Sequence, residues 1–458
     1  MRPLGRGPQL NLPSLWDEEI RHTGPLILYS AFTGALAGLL VALLNGLLRV
    51  LTEAFGLFFG YLAPEPPGEG GLAQAFTGPS LWPLAFLFPF LFALTSFLGT
   101  GQGLAALLLQ AREDRPSPPS SHLRAVLGGV LQLSLYSPMG REGPFGVLGL
   151  WLGRGLDRRF PRLGGGLAFA GLAAGLGASL HAPVAGALLA TEILYRSLLL
   201  EARALTPALI GALSAFAVYG AFFGYTPLLP LSAPMDLGAL PAGALVGLAA
   251  AMLATLWMEG ARLLQRYLSP LAFPWRHGLL GLALALALLF LPEALGTGLG
   301  FVAVATTPLI PPKALLYLIL AKLALLLLAS GVRAYGAPYT PALVLGGLLG
   351  SFLAHLPGPL DLPPEALALA GGVAVLAGVA RAPFAATLLA TEWGGYATLP
   401  LVLPAVVLAY VLTPPYDPEE GLREGPATPE ESPSETPPQR EPPPPGPEAA
   451  AGPESPRG

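Results

Sequence analysis

The sequence contains no cysteine, which excludes disulfides, thiolate metal sites and cysteine nucleophiles. Its five histidines are scattered and form no ligand cluster. Charge is scarce as well: 11% of the 458 residues are Asp, Glu, Lys or Arg, against 53% hydrophobic, and the mean hydropathy is +0.61. A soluble chain of this size cannot cover its surface with so few charges, so a water-soluble enzyme is excluded. Beta-barrel alternation is absent. Apolar runs recur instead along most of the chain, the pattern of an all-α polytopic membrane protein. The first residues, MRPLGRGPQLNLPSLWDEEIRHTG, are polar and broken by Pro and Gly, unlike a cleaved signal peptide.

The net charge of −4 is a property of the C-terminal end. Residues 417–458 hold ten carboxylates, three arginines and thirteen prolines, and without them the chain has 21 basic and 18 acidic residues. Such a segment has almost nothing to bury, so it is expected to be a disordered, solvated tail. The expected organisation is a segment 1–24, a first membrane repeat 25–225, a second repeat 226–416 and the tail.

Candidate spans lie near 25–53, 82–100, 123–139, 144–156, 165–180, 183–200, 205–224, 240–261, 277–292, 313–332, 341–356, 364–380, 383–393 and 398–413. Several fall short of the ~20 residues that cross a bilayer. Short helices at membrane depth are tolerated where they line a site or a cavity. The connections 54–81, 225–239 and 293–312 contain neither Lys nor Arg, whereas the alternate ones carry Arg112, Arg115 and Arg124, then Arg154, Arg158, Arg159 and Arg162, then Arg196 and Arg203, then Arg262, Arg266 and Arg276. The positive-inside rule therefore makes the N-terminus cytoplasmic, and counting spans puts the C-terminus there too.

The sequence also repeats itself. Residues His181–Glu192 match Arg381–Glu392 at an offset of 200, with eight of twelve positions identical, and Pro144–Gly153 match Pro341–Gly350 at an offset of 197. By span parity the helix at Pro144 runs inward and that at Pro341 outward, so the two halves are expected to be inverted in the membrane. Inverted repeats place their site near the midplane, where helix N-termini from both halves converge.

The segments before these prolines carry the candidate chemistry. In Gly140-Arg141-Glu142-Gly143-Pro144, two glycines and a helix-starting proline turn the chain and leave first-turn amides without internal partners. Free amides and the positive helix end make an anion site. Glu142 lies inside it. Its carboxylate is itself an anion that competes for the seat and leaves it when protonated; the alternative is a glutamate that merely satisfies its own helix dipole. The counterpart, Tyr335-Gly-Ala-Pro-Tyr339-Thr-Pro341, starts a second helix. A third candidate is the turn Gly99-Thr100-Gly101-Gln-Gly103, where Thr100 offers a hydroxyl, or which is simply a glycine-rich loop.

With these motifs the chain resembles the CLC family of chloride channels and proton/chloride antiporters, the voltage-gated chloride channel family, over nearly all of residues 25–416. The intact Gly140–Pro144 signature is its most specific element, joined by Ala182-Pro-Val-Ala-Gly186 and Arg381-Ala-Pro383. The resemblance implies a homodimer with one anion pathway per subunit, built from two inverted repeats of short, tilted helices. It implies that Glu142 is the external gate and proton shuttle. It also implies an anion site formed by Thr100 and Gly101, by Arg141 and Gly143 of the signature, by the turn from Ala337 to Pro341 with Tyr339 in place of a phenylalanine, and by Tyr416, with Tyr410 as its rival; either tyrosine also fits an ordinary interfacial aromatic. Gly103 stands where the family has proline, Ala337 where it has glycine, and Pro338 removes one amide donor. The internal proton-transfer glutamate aligns with Ile193. Its neighbour Glu192 is a substitute relay or, given its twin Glu392, a duplicated structural carboxylate.

The expected function is chloride transport across a plasma or inner membrane, leading with proton/chloride antiport, with passive or weakly coupled conduction as the alternative. A cation-coupled solute symporter is a rival of another class, but no carboxylate cluster for a cation is visible. No catalytic pair or metal motif stands at credible spacing, so no enzyme is expected. The expected partners are chloride, protons and lipid; neither a cofactor nor nucleic acid is expected.

Overall fold

The computed structural model describes residues 12–71, 76–77, 86–98, 104, 107–108, 110, 119–163, 165–195, 198–356 and 360–415. Thr100, Gly101, Gly103, Tyr416 and the tail 417–458 lie outside the described residues. The described chain is almost wholly helical. Its helices are α1 (Leu12–Phe59), α2 (Phe88–Thr95), α3 (Pro119–Ser134), α4 (Glu142–Arg159), α5 (Gly166–Leu180), α6 (Pro183–Glu192), α7 (Ala202–Phe223), α8 (Leu240–Leu268), α9 (Phe273–Phe290), α10 (Leu299–Ala305), α11 (Pro312–Gly331), α12 (Tyr339–Leu353), α13 (Pro364–Ala380), α14 (Pro383–Gly394) and α15 (Leu399–Leu412).

Among the described residues, five helical stretches are long and apolar enough to cross a membrane: 24–59, 202–223, 237–268, 273–290 and 312–331. The first, with 36 residues, is about 54 Å long, well beyond the ~30 Å hydrocarbon core, so it tilts or projects. Others are too short to cross alone. Helix α6 has ten residues and α14 twelve, and α14 meets α15 at a 120° bend around Gly395. Two expected spans differ from the structure. Among its described residues the run at 82–100 has an α-helix from Phe88 to Thr95, continued by a 3-10 turn to Leu98, and the helix of the run at 183–200 ends at Glu192. Helix α10 lies inside a stretch expected to be a connection; its Val and Ala residues pack on α12.

One packing scheme occurs twice. Helix α4 packs on α5 as α12 packs on α13, and α5 on α7 as α13 on α15. At the first crossing a Cβ on Gly149 would strike the Gly171 carbonyl, and one on Gly171 the Gly149 carbonyl; Gly346 and Gly371 face each other in the same way. Small residues let the backbones touch where apolar burial offers little net drive, since lipid is as apolar as leucine. The two halves run in opposite directions. Glu192, at the C-terminal end of α6, caps the start of α14, while Glu392, near the end of α14, caps the start of α6. Equivalent helices are therefore antiparallel, and the fold is an all-α membrane fold of two inverted repeats. We expect Gly149→Val to force this crossing apart and to cost about 1–3 kcal/mol or more, read as a lower midpoint of thermal unfolding in detergent; an unchanged midpoint would contradict the tight crossing.

Candidate functional site

The two prolyl helix starts meet each other. Gly140 N–H donates to Ala337 O at 2.7 Å and Ala337 N–H to Gly140 O at 3.0 Å, an isolated antiparallel bridge. These residues occupy equivalent positions of the two repeats, so the bridge lies on their pseudo-twofold axis. It holds the first turns of α4 and α12 side by side, so that the positive ends of the two helices meet.

Glu142 is fully buried at the first position of α4. Its carboxylate lies over the Gly140 turn, where a Cβ would leave no room for it, and faces the start of α12. It accepts a short hydrogen bond from the Thr340 hydroxyl, and the Thr340 amide approaches it at 3.5 Å. An acid from one half thus occupies the positive helix end of the other. Gly143 allows the approach, because a Cβ there would lie 2.6 Å from Gly336 Cα. Tyr339 is buried at the first position of α12.

Arg141 is turned elsewhere. Its guanidinium forms a bidentate pair with Glu69, at 2.9 and 2.6 Å, and also donates to Asn45 Oδ1 and Ser179 O. His181 Nε2 stands 3.3 Å from the same Glu69 carboxylate. Glu69 lies in the connection after α1. Burial raises its carboxyl, but the Arg141 guanidinium, joined by His181, outweighs this and holds it well below the usual carboxylate range.

Glu192 accepts from the amides of Phe384 and Ala385 at 3.0 and 2.7 Å, and Glu392 from those of Val184 and Ala185 at 3.0 and 2.8 Å. Both are therefore reciprocal helix caps, with partners wholly separate from those of Glu142. Ile193 is buried. Tyr410 lies under Arg381, whose guanidinium carbon is 3.9 Å from the ring centre and whose Nη1 holds the carbonyls of Tyr410 and Thr413.

A cavity of about 410 Å³ reaches Thr340, Arg141 and Glu69 from the side of the connection after α1. Thr340, Glu69 and Lys322 are not among the residues expected from the sequence. Thr340 was legible as a hydroxyl in the first turn of the second prolyl helix. Glu69 carried no local signal, since its partner is 72 residues away. Lys322 is a buried cation in the middle of the apolar helix α11; its ammonium donates to the carbonyls of Leu295 and Gly296, just behind the cavity wall.

The family model described as "Voltage gated chloride channel" matches residues 99–414. Among curated relatives, a voltage-gated ClC-type chloride channel ClcB of Salmonella typhimurium is 31% identical over 427 residues, covering 84% of this chain and 95% of that protein. A ClcB of Escherichia coli is 30% identical over 384 residues, 75% of this chain and 87% of its own. Among solved structures, a slow cyanobacterial Cl⁻/H⁺ antiporter superposes with a TM-score of 0.72 at 22% identity, over 85% of this chain and 94% of that one. A CLC-type fluoride/proton antiporter gives 0.73 at 23% identity, over 87% and 97%. At those identities the two structures bear on the fold alone.

The Glu69 cluster yields a test. Glu69→Gln leaves the Arg141 charge buried without its counter-ion and should cost about 3–5 kcal/mol. Because folding lowers the Glu69 pKa, its stabilisation is present above the ordinary carboxylate range and is lost as pH falls through the folded value. The substitution should therefore lower the unfolding midpoint at neutral pH and weaken its fall in acid; equal midpoints at neutral pH would count against the pair.

Proposed function

Because the chain belongs to the voltage-gated chloride channel family, a family of multi-pass membrane proteins, we propose that it carries chloride across the membrane in exchange for protons, with Glu142 as gate and proton carrier. One observation carries this reading: the Glu142 carboxylate occupies the N-terminal amide and hydroxyl seat of the opposing repeat. Deprotonated, it competes with a halide for those donors. Protonated, it loses its charge and yields the seat, so an arriving proton and an arriving anion replace one another. The relatives named as chloride channels and the fold shared with proton-coupled antiporters support the same reading.

In this reading Gly143 and the Tyr339–Thr340 turn frame the seat, while Arg141 positions the Gly140 turn through Glu69. Thr100 and Gly101 form the opposite approach, and Tyr416 or Tyr410 the inner end. The protein acts as a homodimer with one pathway per subunit, is not an enzyme, and lies in the plasma or inner membrane with both termini cytoplasmic, as the arginine-free connections suggest. The repeats comprise 25–225 and 226–416, flanked by the segment 1–24 and the tail.

A second reading, passive or weakly coupled chloride conduction, is favoured by one feature. Glu192 is fixed on the amides of α14, and the position beside it is the buried Ile193, which cannot relay a proton. Reconstitution in liposomes separates the two. Under an imposed chloride gradient, antiport drives protons uphill, whereas conduction moves chloride without them. Glu142→Gln is expected to abolish proton movement and, at saturating chloride, the pH-dependent gating of chloride flux. Proton pumping that persists in this variant would overturn the role of Glu142.

A further inference from the structure

The cavity above Glu142 has a guanidinium with donors to spare. Arg49, near the end of α1, makes all of its hydrogen bonds through one nitrogen: Nη2 reaches Glu65 Oε2 at 3.1 Å, Glu69 O at 3.2 Å and Glu69 Oε2 at 3.2 Å. Its Nε is buried without a hydrogen-bond partner. The guanidinium lies over the Phe223 ring at 4.9 Å, so one face is fixed by the aromatic. A guanidinium has five N–H donors in a planar fork. Arg49 lines the same cavity as Asn45, Thr52, Ser137 and Thr340, and Thr340 is the residue that seats Glu142. An anion resting on the open side of Arg49 is therefore in the same cavity as the residue that seats Glu142.

We propose that Arg49 is an outer capture site for a small monovalent anion, and that Glu65 is the carboxylate competing for it. This rests on the anion-transport reading of the Glu142 seat. It assigns the cavity a second, earlier stop. Arg141 is not available for that task, since both of its terminal nitrogens are engaged by Glu69. Arg49 is held less completely, by single contacts from Nη2, and its side chain and that of Glu65 are 24% and 23% exposed.

Charge around the pair makes the competition depend on protons. Glu65 faces Arg49 and Glu53 on α1, Glu69 in its own connection, Arg141 at the start of α4 and Tyr219 on α7, with His181 reached through Glu69. Burial lifts its carboxyl to about 7 even though Arg49 pulls the other way. Above that pH the Glu65 carboxylate holds Arg49. Below it the carboxyl is neutral, the local charge is one unit more positive, and the anion meets less competition. Capture should strengthen as pH falls through about 7.

The test uses the full chain, with chloride as the probe and two readouts: the half-saturating chloride for flux in liposomes, and that for thermal stabilisation in detergent. Arg49→Gln should raise both by roughly three- to ten-fold, the size of one lost contact at a partly exposed site, with a smaller effect on flux at saturating chloride. Arg49→Lys should restore most of the loss. Glu65→Gln tests the idea without removing the guanidinium: at pH 8 its half-saturating chloride should fall clearly below that of the unaltered protein at the same pH. The proposal is overturned if Arg49→Gln leaves half-saturation unchanged, or if Glu65→Gln at pH 8 behaves like the unaltered protein at pH 8. If the unaltered protein carries no chloride yet its chloride-dependent stabilisation needs Arg49, the capture site stands and the transport reading falls.

Discussion

The whole arrangement depends on two hydrogen bonds between Gly140 and Ala337. They join equivalent residues of the two repeats and so bring two helix starts together in a place where backbone polarity has no water to turn to. Unpaired amides at membrane depth are costly unless something negative meets them. In this protein the negative group is a side chain of the opposite half. The Glu142 carboxylate satisfies donors that its own helix does not supply, and it is the one group there whose charge a proton removes. In the proposed function, structure and gating are thus one interaction with two protonation states.

The same exchange between halves recurs at α6 and α14, with a different outcome. Each glutamate accepts two amides, and neither cap has a hydroxyl partner or a place on the cavity wall. Glu142 instead meets a hydroxyl, its own amide and one amide of the other half at 3.5 Å, with the cavity beyond Thr340. This difference in partners, rather than residue type, distinguishes the two caps from the proposed gate.

Much of this was legible in the amino-acid sequence because it depends on local rules. The glycines and proline around Glu142 announce a helix start, and the matches at offsets of 197 and 200 announce a second one. Span parity gave the inversion, which the antiparallel α6 and α14 display. What sequence left open depends on distant partners. Glu192 read equally as relay or as cap until Phe384 and Ala385 stood opposite it. Arg141 looked like an anion ligand because it sits in the signature, and only the fold brings Glu69 to it. Helix α10 has seven residues, too few for a periodic pattern to stand out. Thr100, Gly101 and Tyr416 fall outside the described residues, so the inner part of the expected site rests on the sequence alone.

The reciprocal caps also constrain the order in which the chain matures. During synthesis α6 emerges about 200 residues before Glu392, so for that interval the amides of Val184 and Ala185 lack the acceptor that finally meets them. The first repeat cannot reach its finished state alone. It must wait at the translocon or in a provisional arrangement until its twin arrives, which makes assembly of the two halves a single late event rather than two successive ones.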